Sequence, residues 1–270
     1  MTLVGVLAIL LCAALAMVAR HIRRFRGVML EQLAACRRAD YEGQLKIAER
    51  FRVNGSRPPT YLFFRGLACL QLGRLEEAER LLREVLPRLP NPVLQMASIY
   101  GLGQVLMERG LYDDAVACFE TCIEELPGRG SGFGYCGMAE VRLRRGTQDE
   151  AALEAARRSV EANRTRPVRR GELSAEERAL QLSVSLGFLA WALARNAAAP
   201  AQVEAALTEA FALCGQSRKP GLSRIHYCAG QAYSALGNSS ESARHFRSAI
   251  EADPVGVYGR LARAANCTTG

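Results

Sequence analysis

Residues 102–127 read LGQVLMERGLYDDAVACFETCIEELP, and their spacing describes two short helices joined by a tight turn. A Leu-Gly pair ends at Gly103, and Gly110 follows where a turn is needed, because glycine adopts a left-handed conformation at little cost. Ala115 and Phe119 then continue an apolar pattern at helical spacing. Small residues let two helices approach closely, and an aromatic ring fills the remaining space. The segment therefore predicts an antiparallel helix pair.

The same frame recurs along the chain. Ala78, Ala115 and Ala152 are spaced 37 residues apart, twice over. A copy near the C-terminus has Ser242 at this position, and a looser copy surrounds Trp191. Three or more such units bury a continuous core. We expect a degenerate first helix pair at 28–56 and a solenoid with a C-terminal capping helix at 57–267.

This pattern of small, aromatic and turn residues resembles the tetratricopeptide repeat (TPR) family. The resemblance implies an all-α fold, a TPR-type α-solenoid of antiparallel helix pairs. It also implies that the first helix of each pair faces a concave surface on which peptides or partner helices bind. The residues expected on that concave face are Phe63, Leu67, Tyr100, Gln104, Met107, Glu140, Arg144, Phe188, Tyr227 and Gln231. An apolar beginning and a polar, mixed-charge middle favour an amphipathic helix or an extended peptide as the partner.

Several element ends are also predicted. The arginine-rich segment from Asn163 to Gly171 is expected to be a solvated loop. Ser174, with Glu177 three residues later, has the spacing of a helix capping box. Residues 255–266 are expected to form a final helix that separates the solenoid core from solvent.

An uncharged apolar segment, Thr2 to Ala19, precedes the repeats. Its 18 residues reach about 27 Å as a helix, close to the roughly 30 Å hydrocarbon core of a bilayer. We therefore predict a transmembrane signal-anchor helix over residues 1–20, in contact with the lipid bilayer through residues 2–19. A cleaved signal peptide is the alternative, although the charged segment that normally precedes its apolar core is missing.

A basic juxtamembrane collar at residues 21–27 follows the apolar segment. The arginines of this membrane collar are Arg20, Arg23, Arg24 and Arg26. The positive-inside rule then places the repeats on the cytoplasmic side. Only two of the 35 basic residues are lysine, which together with abundant alanine and glycine suggests a GC-rich, bacterial genome. The arrangement is similar to that of bacterial inner-membrane assembly scaffolds.

No catalytic or metal-binding pattern is recognised in the sequence, so we expect no enzyme activity, no cofactor and no metal. The motifs HExxH and GxSxG and the P-loop are absent. Cys118 and Cys122 share one helix face but lack a second pair, so they and Cys69 are expected to pack in the core. The GxGxxG match at 132–137 follows a loop rather than a strand and is interpreted as close helix packing. His245 is expected on a solvated face.

The sequence thus favours a membrane-anchored TPR scaffold. It would bind a protein partner of unknown identity on its concave face and recruit it to the cytoplasmic surface of the inner membrane. Signal-peptide cleavage would instead leave a secreted or periplasmic TPR binding protein. The net charge of +8 raises a basic nucleic-acid-binding domain as a further alternative, but no basic stripe is evident. Neither nucleic acid nor a small-molecule substrate is expected as a partner.

Overall fold

A computed structural model describes residues 26–50, 58–89, 92–124, 131–146, 149–165, 174–214 and 219–268, which form an all-helical array. The helices are α1 (26–37), α2 (Tyr41–Arg50), α3 (Pro59–Gln71), α4 (Leu75–Val85), α5 (Pro92–Glu108), α6 (Tyr112–Glu124), α7 (Ser131–Arg145), α8 (Asp149–Thr165), α9 (Ala175–Arg195), α10 (Pro200–Cys214), α11 (Lys219–Ala235), α12 (Ser239–Ala252) and α13 (Val257–Thr268). A 3-10 turn, Leu86–Arg88, follows α4. From α3 onward, consecutive helices pack in pairs, and the first helices of neighbouring pairs also contact each other. The predicted all-α solenoid is confirmed.

Tight turns between paired helices have the left-handed residue that the sequence predicts. Gly73, Gly110 and Gly237 have φ values of 75°, 78° and 75°. At the second of these turns, the amide of Gly110 donates to the carbonyl of Met107 at 3.0 Å, and the next amide donates to Leu106 at 2.9 Å. These bonds satisfy carbonyls that the end of a helix otherwise leaves without partners.

The close helix approach predicted around Phe119 is present. This fully buried ring lies between glycines of two other helices. A Cβ atom on Gly103 would lie 2.6 Å from its Cε1, and one on Gly137 would lie 2.5 Å from the same atom. Gly230 has the same relation to Phe246, with a Cβ-to-ring distance of 2.5 Å. The GxGxxG match is therefore part of α7: Gly137 makes room for the ring of Phe119, Gly134 lies against Ile123, and Gly132 lies against Asn163.

The fourth unit is irregular, as its sequence suggests. Helix α9 is 21 residues long and begins at the predicted capping box, in which Ser174 and Glu177 exchange hydrogen bonds. The expectation of a loop from Asn163 was wrong for its first residues, since α8 continues to Thr165. Arg164 is held in this last turn by an ion pair with Glu209 at 2.6 Å.

None of the helices in the described ranges has both the length and the apolar composition needed to cross a membrane. The predicted anchor at residues 2–19 lies outside the described residues, as do Arg20, Arg23 and Arg24 of the membrane collar. Arg26 is exposed at the start of α1.

Candidate binding groove on the concave face

Helices α5, α7, α9 and α11, each the first of its pair, bring five side chains together. Tyr100, Glu140, Phe188, Arg224 and Tyr227 form a buried and half-buried cluster on the inner side of these helices, and we call this site the central groove. These five side chains come from α5, α7, α9 and α11. They meet because side chains one turn apart on a helix share a face, and each first helix turns that face inward.

Glu140 is the electrostatic centre of the central groove. Its carboxylate is fully buried, and it accepts a hydrogen bond from the guanidinium of Arg224 at 2.7 Å. Tyr258 of α13 donates to the same carboxylate, with its hydroxyl 3.0 Å from each oxygen. Arg144 lies 3.7 Å away, one turn further along α7. A buried carboxylate is tolerable only when it is paired in this way, because the bare charge is strongly disfavoured away from water.

Arg224 connects the polar and aromatic parts of the groove. Its guanidinium carbon lies 4.8 Å from the ring centroid of Phe188 and 4.9 Å from that of Tyr258, which is cation–π geometry on two rings. It also donates to the hydroxyl of Tyr100 at 2.8 Å. Its Nε is buried and has no hydrogen-bond partner among the described residues. The guanidinium thus retains an unused donor in the centre of the molecule.

A second ion pair balances the charge of the groove. Arg144 donates to Glu108 of α5 at 2.5 Å, and both side chains are 11% exposed. Two arginines and two glutamates therefore face one another inside the solenoid, and their formal charges cancel.

Tyr258 donates a hydrogen bond because it keeps its proton. Burial in the groove raises the pKa of its hydroxyl well above the ordinary value. The protonated hydroxyl therefore serves Glu140 as a neutral donor beside the charged Arg224. The ring of Tyr258 lies 5.8 Å from that of Tyr227, which extends the aromatic lining onto α13.

None of the ten residues predicted for the concave face is exposed. The buried ones are Phe63, Met107, Glu140, Phe188 and Tyr227, and the half-buried ones are Leu67, Tyr100, Gln104, Arg144 and Gln231. Tyr100, Glu140, Phe188 and Tyr227 meet in the central groove. Phe63 instead packs edge-on against Phe64, with ring centroids 5.2 Å apart. Leu67 fills the space above Gly101 of α5.

The predicted C-terminal helix is present as α13, and its buried face also contacts helices from earlier units. Besides the bonds of Tyr258 to Glu140, the amide of Val257 donates to the side-chain oxygen of Gln71 at 3.2 Å. Arg260 donates to the main-chain carbonyl of Gln71. The last helix therefore touches the end of α3 as well as α11 and α12. Its inner face belongs to the core of the whole solenoid.

Sequence reasoning missed Arg224, Tyr258 and Glu108 as groove residues. Arg224 lies three positions before Tyr227 on the same helix, so helical spacing alone would have placed both on one face. Glu108 lies four residues after Gln104 on α5, so helical spacing would also have placed these two residues on one face. No local signal identifies Tyr258, because its partner Glu140 lies 118 positions away in the chain.

A second cluster lies between α10, α11 and α12, where His226 and His245 face each other. Their Nδ1 atoms are 2.9 Å apart, and Arg244 lies 3.0 Å from the Nε2 of His245. The prediction that His245 is solvated was wrong: it is 5% exposed and stacks on Tyr233, with centroids 5.4 Å apart. Burial lowers the pKa of both imidazoles to about 4, with help from Arg244. A cavity of about 390 Å³ borders the pair and is also lined by Phe211.

Within the part of the chain that the structure describes, His, Cys, Asp and Glu side chains form no group of three or more that could hold a metal ion. Cys69 and Cys122 are buried at 0% and 1% exposure, as predicted for core positions. Burial raises the pKa of the Cys69 thiol to about 11, so it stays protonated at neutral pH.

The stacked helix pairs define an α-solenoid built from helical repeats. Sequence models described as tetratricopeptide repeat match residues 34–91, 97–125 and 223–255. The chain therefore contains tetratricopeptide repeats, and the units between residues 126 and 222 lie outside these matches. No curated protein matches the chain.

Three solved structures are similar to this chain. TTC0263, a thermophilic TPR protein of Thermus thermophilus, is 19% identical, with a TM-score of 0.50, over 78% of this chain and 98% of that chain. This likeness supports the fold alone. MamA is 21% identical over 67% of this chain and 89% of its own, with a TM-score of 0.33. YrrB, described as a TPR protein with an unusual peptide-binding site, is 20% identical over 76% of this chain and 91% of its own, with a TM-score of 0.32.

Proposed function

We propose that this chain is a nonenzymatic scaffold that binds a protein partner in the central groove. The observation that carries the proposal is the set of buried donors, acceptors and rings around Glu140 and Arg224. A folded protein gains little stability from burying such a charge cluster, since an apolar core of the same volume is often as stable. Retaining the cluster is therefore better explained by recognition of a ligand than by stability.

The chemistry of the groove supports a peptide or helix as the ligand. Phe188 and Tyr227 supply aromatic surface, while Glu140 accepts and Arg224 donates hydrogen bonds. Buried aromatic residues and arginines dominate the energetics of protein interfaces. A helix or extended segment that inserts an aromatic side chain would use all these groups at once.

Photo-crosslinking in intact cells tests the binding function. A benzoylphenylalanine residue at Gln104, which is half-buried and lies 3.5 Å from the hydroxyl of Tyr258, would report on any molecule that enters the groove. The same probe at Arg157, exposed on α8, is the matched control. We expect one protein to be captured from Gln104 and not from Arg157. Identical capture from both positions, or none from either, would contradict the proposal.

The second part of the proposal is recruitment to the cytoplasmic face of a membrane through residues 2–19. The support is the apolar composition of this segment and the arginines that follow it. Deletion of residues 2–19 is expected to move the chain, and the protein captured from Gln104, out of the membrane fraction. A protease added outside intact cells should leave the repeats uncut. If the shortened chain stayed with the membrane, or if the repeats were cut from outside, the recruitment proposal would be wrong.

A further inference from the structure

We propose that the cavity beside His226 and His245 binds a small planar ligand, an amino-substituted nitrogen heterocycle such as adenine. The cavity lies between α10, α11 and α12 and shares no lining residue with the central groove, so the inference goes beyond the proposed binding of a protein partner. Its volume of about 390 Å³ falls within the roughly 300–1,000 Å³ that small-molecule sites span.

The first argument is that a ligand can reach the apolar surface of the cavity from solvent. Four of its lining residues have the spacing of a single face of α10, namely Glu204, Leu207, Thr208 and Phe211. Glu204 and Thr208 are exposed, Phe211 is half-buried and Leu207 is buried. The half-buried ring of Tyr233 adds a second aromatic surface. Polar groups at the entrance and rings further in suit a flat ligand, because aromatic rings pack well in offset stacks.

The second argument is that the hydrogen bonds of the histidine pair leave a donor on His226. Arg244 can only donate, so the Nε2 of His245 accepts its bond at 3.0 Å. The proton of His245 then lies on Nδ1 and is donated to the Nδ1 of His226 at 2.9 Å. A neutral imidazole whose Nδ1 accepts carries its proton on Nε2, which points away from His245. Because His226 lines the cavity, this N–H is available to an acceptor atom of a ligand.

The third argument is that the charges at the cavity favour an amino group over an anion. Arg244 is paired with Glu241 at 2.5 Å, so its charge is compensated. Among the described residues, no arginine or lysine forms an ion pair with Glu204. Its carboxylate lies close enough to Tyr233 that burial and this charge together raise the pKa of the tyrosine hydroxyl. An amino group would donate to Glu204, whereas an anion would be repelled by it.

An amino-substituted nitrogen heterocycle uses both polar groups at once. Adenine, for example, carries a ring nitrogen that accepts a hydrogen bond near an amino group that donates one. The ring nitrogen would accept from His226, the amino group would donate to Glu204, and the ring would pack against Phe211. Aromatic surface combined with one donor and one acceptor thus defines the class of ligand.

Isothermal titration calorimetry of the full chain with adenosine and with purine riboside, which lacks only the amino group, tests the proposal. We expect adenosine to bind with a Kd below about 1 mM and purine riboside to bind about fivefold more weakly, because it has no donor for Glu204. Glu204→Ala should weaken adenosine binding about fivefold and leave purine riboside binding unchanged. Glu120→Ala, which removes an exposed glutamate of α6, is the matched control and should leave both affinities unchanged.

His226→Phe keeps the ring surface but removes the donor, so this chain, shown to be folded by circular dichroism, should bind both nucleosides about tenfold more weakly. If it does not fold, proton–nitrogen NMR of the wild-type imidazoles decides, and a proton on the Nδ1 of His226 would overturn the proposal. The proposal would also be wrong if adenosine gave no heat of binding, or if the wild-type chain bound both nucleosides equally. Because neither measurement contains a protein partner, failure here leaves the proposed function to the crosslinking experiment.

Discussion

Left-handed turn positions carry different residues in different units. Gly73 and Gly110 occupy this position in two regular units, whereas Ala197 occupies it in the irregular fourth unit with a φ of 53°. The hydrogen bonding is nevertheless similar, since the next amide, that of Ala198, donates to the carbonyl of Leu193 at 3.0 Å. An L-residue in this conformation costs about 1–2 kcal/mol, because its Cβ crowds the following carbonyl. The alanine turn is therefore strained.

We predict that Ala197→Gly stabilises the protein. Glycine removes the crowding but loses more chain entropy on folding, so the net gain in the free energy of unfolding should be about 0.5–1 kcal/mol. Chemical denaturation monitored by circular dichroism measures this change. Ala205→Gly, at an exposed interior position of α10, is the control and should lower the free energy of unfolding by about 1 kcal/mol. A loss of stability for both variants would contradict the strain argument.

Residues whose role is set within one repeat were predictable from sequence. Gly110 and Phe119 follow from spacing alone, because the turn and the helix contact that need them are local. Tyr258 was not predictable, because its environment is assembled from helices far apart in the chain. His245 was misplaced for a related reason. Its exposure depends on Tyr233 and Phe211, which stack on the imidazole from neighbouring helices.

At the scale of elements, the packing of α11 on α12 fixes the protonation of the His226–His245 pair. Arg244 can only donate, so the Nε2 of His245 must accept its hydrogen bond. The proton of His245 is then on Nδ1, which donates to the Nδ1 of His226 at 2.9 Å. Both imidazoles are therefore neutral in the folded chain. Protonating either ring would place a second donor in a contact that needs one donor and one acceptor.

We predict that the His226–His245 pair between α11 and α12 lowers the stability of the protein in acid. Both imidazoles have their pKa lowered from 6.5 to about 4, so between these pH values the unfolded chain binds more protons than the folded chain. Stability is consequently lost as the pH falls through this window. The expected loss is on the order of 3 kcal/mol in the free energy of unfolding for each imidazole that becomes protonated, measured by denaturation at a series of pH values.

A His226→Phe, His245→Phe double variant is the control for the acid sensitivity. Phenylalanine keeps the aromatic contacts with Phe211 but has no proton to bind. Carboxylates away from the pair titrate in both proteins, so the comparison reports on the two imidazoles together with Glu241, which lies 4.0 Å from His245. If the free energy of unfolding fell equally steeply with pH in the wild-type chain and the double variant, between pH 6.5 and pH 4, the histidine pair would not be the cause of the acid sensitivity.

At the scale of the whole molecule, the two ends of the array are tied together. Tyr41, the first residue of α2, donates a hydrogen bond to Asp253, which precedes α13. Both residues are 2% exposed, and Arg37 of α1 pairs with Glu176 at the start of α9. An open solenoid has only contacts between neighbouring units, and its stability is a sum of local terms. The Tyr41–Asp253 bond instead couples the α1–α2 pair to the last unit, and the Arg37–Glu176 pair couples it to α9.

We predict that removing one hydroxyl from the first unit loosens the last helix. Tyr41→Phe keeps the ring but leaves buried Asp253 without its tyrosine donor, at a cost of about 1–3 kcal/mol. Hydrogen exchange in α13 should then accelerate by about tenfold or more, although α13 lies more than 200 residues further along the chain. Tyr112 begins α6 as Tyr41 begins α2, so Tyr112→Phe is the matched control. The Tyr112→Phe chain should show unchanged exchange in α13, because this substitution in a middle unit leaves the Tyr41–Asp253 hydrogen bond intact. Faster exchange confined to α1–α3 in the Tyr41→Phe chain would mean that the ends are not coupled and that each unit opens on its own.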